Sequence, residues 1–458
     1  MRGTPYPTLG ELLRRARATV AARPGALRLR AVGTSRAGRP LWLLSAGHGP
    51  RHILTVAGAH ANEPVGGVTS LSLAERFARE PALLQESGCT WNFLLCLDPD
   101  GASLAGRWLT ARPAEGLPAE GGPDEGLPAE GRPGERLPAE GRPIEGRSIE
   151  GRPGEGPAAE ASPTLRGYYR RFYRPAFAAQ PEFPPVASDP RPVMPESEAL
   201  VRLIDELRPV VQFSLHGVEV GGSFLQLTRA VPGAAATYRR IAADLGIPLE
   251  HRPFDGMGWL AESPGVLVLP DSGPTEERDP SGFTSQATWL YAMRHGTVSA
   301  VVEAPFWSVA GVSDPRPVAE PRREVAEASE ILLGRAKQLE AVVGELGPGS
   351  PDTPEEIAHF TAARELMDIG PGVVDTWNSA ELATTVGNAV SLGVAARRIP
   401  LRAAAMMRQA LGGAPALDTL VEVWARELAA TFDARWVPVA DQTELQIRTM
   451  LALARALV

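Results

Sequence analysis

Ile53-Leu54-Thr55-Val56-Ala57-Gly58-Ala59-His60-Ala61-Asn62-Glu63-Pro64-Val65-Gly66 is the stretch from which the fold of this chain is read. An apolar, partly β-branched run stops at Gly58, a turn of small residues follows, and a helical pattern begins beyond Pro64. His60 and Glu63 project from that turn. With two residues between them, an imidazole and a carboxylate converge on one ion, and a third ligand must come from elsewhere in the chain. Catalytic zinc sites use three such ligands and leave a fourth position to water. Alone, H-x-x-E arises often by chance, so the pattern needs support.

Support lies about 150 residues on, in Val210-Val211-Gln212-Phe213-Ser214-Leu215-His216-Gly217, a largely apolar strand read as ending in histidine. Functional groups of open α/β sheets sit beyond the carboxyl ends of strands, and His60, Glu63 and His216 all fall at such positions. A third strand, Val298-Ser299-Ala300-Val301-Val302-Glu303, is read as closing on an acid. A carboxylate at the end of a buried strand is costly unless paired or at work. Beside an activated water, Glu303 would take the proton and return it to the leaving amine.

Outward from these segments, short β-rich runs alternate with helical patterns, the signature of an α/β fold. The pattern predicts strands over 27–33, 41–46, 52–57, 91–97, 209–215, 223–228, 265–269 and 298–303. It predicts helices over 8–22, 66–79, 196–207, 234–245, 285–294 and 320–346. Past the punctuation Gly347-Pro348-Gly349-Ser350-Pro351 strand signals become rare and amphipathic helices run almost to Val458. Residues 1–346 are therefore read as the catalytic domain and 347–458 as a helical C-terminal domain or docked extension. From 113 to 163 the chain cycles through LPAEG, GRPGE and GRPIE units almost without large apolar residues. Such a tract buries too little surface to offset its ordering entropy, so the expectation is a disordered insertion.

Hydrophobic residues make up 44% of the 458, enough for a full core, and the formal net charge of −8 leaves no basic field to gather nucleic acid or anionic membrane. No 18 uncharged apolar residues follow one another and no signal-peptide pattern opens the chain, so the expectation is a cytoplasmic protein that binds neither nucleic acid nor membrane. Cys89 and Cys96 are too few for a disulfide framework or a zinc cage and read as buried, reduced thiols.

Taken together, G-x-H-x-x-E-P at His60 to Pro64, D-P-D-G at Asp98 to Gly101, P-E-S-E-A-L at Pro195 to Leu200, S-L-H ending at His216 and the strand acid Glu303 resemble the M14 zinc carboxypeptidases. The resemblance runs from about residue 27 to 303, interrupted by the insertion. It implies a mixed eight-stranded sheet between helices, one zinc per chain held by His60, Glu63 and His216, and Glu303 as general base. Arg170-Arg171-Phe172-Tyr173-Arg174-Pro175 resembles a motif of a bacterial branch of poorly defined function, whose C-terminal helical region the chain also resembles in pattern.

Departures from the family bear on substrate. The family's Asp-Leu-Asn-Arg-Asn segment, whose Asn and Arg grip a terminal carboxylate, is missing. Arg174, with Arg170 beside it, is the candidate replacement, because a guanidinium fork holds a carboxylate by two parallel bonds. Arg112 lies near the family's place for an oxyanion-stabilising arginine, and no tyrosine lies between Tyr238 and Tyr291 to serve as the family's mobile tyrosine. The expected activity is hydrolysis of the C-terminal amide bond of a peptide or peptide-like metabolite. An N-acyl-amino-acid amidohydrolase of the aspartoacylase and desuccinylase type is the second reading, since Ala61-Asn62-Glu63 and His216-Gly217 resemble that branch too. A zinc-containing binding protein without turnover is the third.

Overall fold

The structure is a computed structural model that describes residues 6–106, 163–185, 191–253, 256, 258–270, 287–347, 349, 351–379 and 384–458. Arg112 and the expected disordered insertion over 113–163 lie outside the described residues, apart from Pro163.

The strands are β1 (Leu27–Thr34), β2 (Pro40–Ala46), β3 (Arg51–Ala57), β4 (Cys89–Leu94), β5 (Val211–Gly221), β6 (Phe224–Leu227), β7 (Leu260–Ser263), β8 (Val266–Val268), β9 (Val298–Ser308) and β10 (Arg435–Trp436). Through the first 345 residues run the helices α1 (Leu9–Ala22), α2 (Val65–Arg79), α3 (Pro81–Ser87), α4 (Pro99–Ala105), α5 (Leu165–Tyr169), α6 (Pro195–Leu207), α7 (Ala234–Asp244), α8 (Thr288–Tyr291) and α9 (Pro321–Glu345). Five more follow: α10 (Pro354–Asp368), α11 (Gly370–Ser379), α12 (Val386–Ala410), α13 (Pro415–Thr431) and α14 (Val439–Leu457). Thr8 and Glu11 cap α1 reciprocally, as do Thr353 and Glu356 for α10, so both helices begin where their first free N–H groups find side-chain acceptors.

The sheet is mixed and lies between helices, as expected, but it has ten strands rather than eight, in the order β1-β2-β4-β3-β5-β9-β6-β8-β7 with β10 paired to β9. The two extra strands, β7 and β10, are short segments without an apolar run of their own. β3, β4, β5 and β9 form a parallel centre. Over one face pack α1, α2, α7 and α14, enclosing Phe77, Phe93, Phe213, Leu215, Val302 and Met450. On the other, α6 covers β3 and β4 through Leu54, Val56, Leu203 and Ile204.

Two strands outrun their expected ends. β5 continues five residues past His216 and β9 five past Glu303, so neither residue is strand-terminal. The reason is cover: Val220, Phe306 and Trp307 are buried in a cluster with residues of α9, α10, α12 and α13. Residues 1–110 and 162–458 form one compact unit, in which the C-terminal helices roof the ends of the two central strands.

Candidate metal centre

Gly58 turns the chain out of β3 with φ of +58°, and a Cβ there would meet the Cys96 sulfur at 2.8 Å, so glycine suits both the conformation and the space. His60 and Glu63 follow on the turn, held close to β5 because Gly66, in the first turn of α2, packs on Leu215 where a Cβ would come within 2.8 Å. Parallel pairing of β3 with β5 then brings His216 beside them. Glu303 is the register partner of His216 on β9, so both side chains leave one face of the sheet on strands about 4.8 Å apart. Glu303 is half-buried there.

The structure brings His60, Glu63 and His216 together. His60 Nδ1 lies 2.9 Å from Glu63 Oε1, His216 Nδ1 lies 2.9 Å from Glu63 Oε2, and the two Nδ1 atoms are 3.0 Å apart. All three residues are buried. Gly217 N donates to Glu63 Oε2 at 3.1 Å and fixes the carboxylate. Arg174 reaches the same place, with Nη2 2.8 Å from His60 Nδ1 and Nη1 3.3 Å from Glu63 Oε1.

A fourth member escaped the sequence reading. Glu182, also buried, lies 3.2 Å from His60 Nε2 and 3.1 Å from His216 Nε2 and accepts from Ser214 Oγ at 2.8 Å. Its backbone carbonyl accepts from Thr288 N, and Ser197 of the P-E-S-E-A-L helix holds the preceding carbonyl at 2.7 Å. A lone acid in the Pro-rich run Gln180-Pro181-Glu182-Phe183-Pro184-Pro185 carries no periodic or motif signal. His60, Glu182 and His216 form a buried group whose ligand atoms lie within 4.8 Å of one another and can hold a metal ion.

Two carboxylates thus flank the imidazole pair, Glu63 at the Nδ1 atoms and Glu182 at the Nε2 atoms. A guanidinium can only donate, so His60 Nδ1 accepts from Arg174 in the neutral imidazole and donates to Glu63 Oε1 in the protonated one. Carboxylates on the outer nitrogen orient metal-binding imidazoles and raise their basicity. Burial alone would raise Glu63, yet the charge of His60 and the hydrogen bond from His216 hold it well below the usual carboxylate range. Burial likewise disfavours a charged His216, but Glu182 and Glu63 outweigh it and hold the imidazole well above its ordinary value. Imidazole nitrogens and carboxylate oxygens gathered this closely are of the ligand types that can hold a metal ion such as zinc.

Other sequence candidates lie elsewhere. Arg170 points to the C-terminal helices, where it pairs with Asp418 at 3.4 Å. Asp98 and Asp100 of the D-P-D-G motif serve the β1–β2 connection. Asp98 accepts from Gly101 N and Arg36, and Asp100 from Ser35, Ala37 N and Arg39. Arg36 also binds Glu196, so it clasps the D-P-D-G and P-E-S-E-A-L motifs together. Burial pushes the Asp98 carboxyl up to about 6. His295 pairs with Asp205 at 2.8 Å. Cys89 and Cys96 are free and buried. Among the described residues, no helix is long and apolar enough to cross a membrane.

Residues 13–120 match the zinc carboxypeptidase family, peptidase M14. No curated protein matches the chain. Among solved structures, a metallo-carboxypeptidase from Burkholderia cenocepacia aligns at 12% identity over 64% of this chain and 59% of its own, with a TM-score of 0.35. A carboxypeptidase A from Helicoverpa armigera aligns at 13% identity over 66% of this chain and 65% of its own, with a TM-score of 0.36. A metallo-carboxypeptidase from Pseudomonas aeruginosa, in complex with (2-guanidinoethylmercapto)succinic acid, aligns at 13% identity over 65% and 58%, with a TM-score of 0.32. The chain thus spans 59% of the length of the first of these. The family match covers the segment that carries His60 and Glu63.

Proposed function

We propose that the protein is a zinc-dependent hydrolase that cleaves the C-terminal amide bond of a peptide or peptide-like metabolite. The observation that carries this reading is the convergence of His60 Nδ1, His216 Nδ1 and the Glu63 carboxylate within 3.0 Å, one strand from Glu303. In this reading those three residues hold one zinc, which when bound supplies Lewis-acid polarisation of the scissile carbonyl and an activated water. Glu182 and Ser214 orient the imidazoles through Nε2. Glu303 takes the water's proton and delivers it to the departing amine, so one carboxylate serves as base and then as acid. Arg174, within reach of the ligands, offers a fork to the substrate's terminal carboxylate or to the developing oxyanion. The compartment proposed is the cytoplasm, for which the two free thiols are the support.

The amidohydrolase reading drew on Asn62, but that amide is engaged by Tyr168 and Glu219, which leaves the peptidase reading better supported. The test is hydrolysis by the zinc-loaded chain of short peptides with a free C-terminus, the matching C-terminal amides and N-acyl amino acids. Turnover of the free acids with the amides much slower is the expected result. Turnover of N-acyl amino acids alone would favour the amidohydrolase, and no turnover of any would favour a binding protein.

A further inference from the structure

Buried polar side chains of the C-terminal helices reach both segments that carry the proposed ligands. The first is Gln446 on α14, which is fully buried. Its Nε2 donates to the carbonyl of His216 at 2.8 Å and to that of Val302 at 3.0 Å, while Oε1 accepts from Thr69 at 2.7 Å. Both amide hydrogens and the oxygen are therefore engaged, and they tie β5 to β9 at the level where His216 and Glu303 leave the sheet.

The second starts at Asn62, between His60 and Glu63. Its Nδ2 donates to Tyr168 Oη at 3.1 Å and to Glu219 Oε1 at 3.0 Å. Glu219 lies three residues beyond His216 on β5 and is wholly buried, a position costly for a carboxylate unless it is paired. Arg398 and Arg402 of α12 bind its other oxygen, Arg398 at 3.4 Å. Four residues apart, they share one helix face, and both are buried. The chain of contacts runs from α12 through Glu219 to the turn that bears two proposed ligands.

We infer that the C-terminal helices are a positioning device for the metal centre, with Gln446 setting the His216 and Glu303 strands and the Asn62–Glu219–Arg402 relay setting the His60–Glu63 turn. The inference rests on the zinc reading above. Asn62 and Gln446 are positioning residues, acting through the backbone of the ligand segments, and loss of such outer contacts commonly costs about 10- to 100-fold in metal affinity.

The experiment uses the full chain and its Asn62→Ala and Gln446→Leu variants. Zinc affinity is measured by chelator competition, the visible spectrum is recorded after cobalt substitution, and thermal melting is followed in parallel. Asn62→Ala leaves Glu219 paired with both arginines, so the fold should survive. Each variant is expected to bind zinc about 10- to 100-fold more weakly and to change the cobalt spectrum, with kcat falling more than KM changes. Should Gln446→Leu fail to fold, Asn62→Ala decides alone. A lower melting temperature with parent-like zinc affinity and cobalt spectrum would overturn the inference and leave the zinc reading standing. A parent chain that binds neither ion would overturn both.

Discussion

The first 346 residues and the last 112 contribute to the site in opposite ways. The first region supplies every side chain proposed to touch metal or substrate: His60, Glu63, Arg174, His216 and Glu303. From the second come Arg398, Arg402 and Gln446, none of which stands among the proposed ligands, yet they contact Glu219 and the carbonyls of His216 and Val302. Motif-bearing residues and the residues that hold them in place are separated by up to about 230 positions in sequence. The lesson is that a helical stretch beyond the last motif is as much a part of the centre as the motifs are.

Removing 347–458 should produce the largest effect. Val220, Phe306 and Trp307 would lose their cover, at about 1.5–3 kcal/mol for each buried side chain, and Glu219 would lose both arginines. That sum approaches the whole stability of a typical domain, about 5–15 kcal/mol. The expected outcome is no cooperative thermal transition from the 1–346 fragment. A fragment that melts cooperatively near the parent temperature would break the comparison.

Glu303→Gln sharpens the other side, because it changes chemistry while leaving the helices alone. An amide neither accepts the water's proton nor returns it, so hydrolysis should fall by roughly 10²- to 10⁴-fold with zinc content unchanged. Steady-state kinetics beside metal analysis checks this, and activity within a few fold of the parent would assign the base elsewhere. Arg174→Ala comes next. Losing one charge-assisted contact costs about 1.5–3 kcal/mol, or about 10- to 150-fold in kcat/KM on free-acid peptides, with a smaller loss on the matching amides. Lysine should restore only part, since it keeps the charge without the planar fork. Equal losses on acid and amide would point Arg174 at the oxyanion or at structure.

The smallest effect concerns Asp98, far in function from the helices. Its carboxyl titrates near 6 in the fold against about 3.9 unfolded, so the folded state holds the proton more tightly. That contribution to stability is fully present below about pH 4 and is lost as pH rises through 6, on the order of 3 kcal/mol. Melting temperatures of Asp98→Asn and the parent should therefore diverge between pH 4 and 6, the variant lacking this decline. Parallel curves would show that Asp98 titrates normally.

Legibility in the sequence followed the same divide. The parallel core was readable because β3, β5 and β9 are apolar runs with a polar residue at a telling place. Their continuation was not: Gly217-Val218-Glu219-Val220 sets an acid in a strand that is buried throughout, and the arginines that make it tolerable lie about 180 residues away. Glu182 was invisible for a related reason, since its partners come from two other segments and its own neighbours are prolines. Arg170 and Arg174 are alike by type and spacing, but α5 ends at Tyr169 and the segment then bends, sending one to Asp418 and the other to the metal centre.

The central claim is that His60, Glu63 and His216 hold a zinc ion. Metal analysis of the gently purified full chain beside a His60→Ala, His216→Ala double variant tests it most directly. About one zinc per chain in the parent and almost none in the variant is the predicted result. Equal zinc in both would contradict the account.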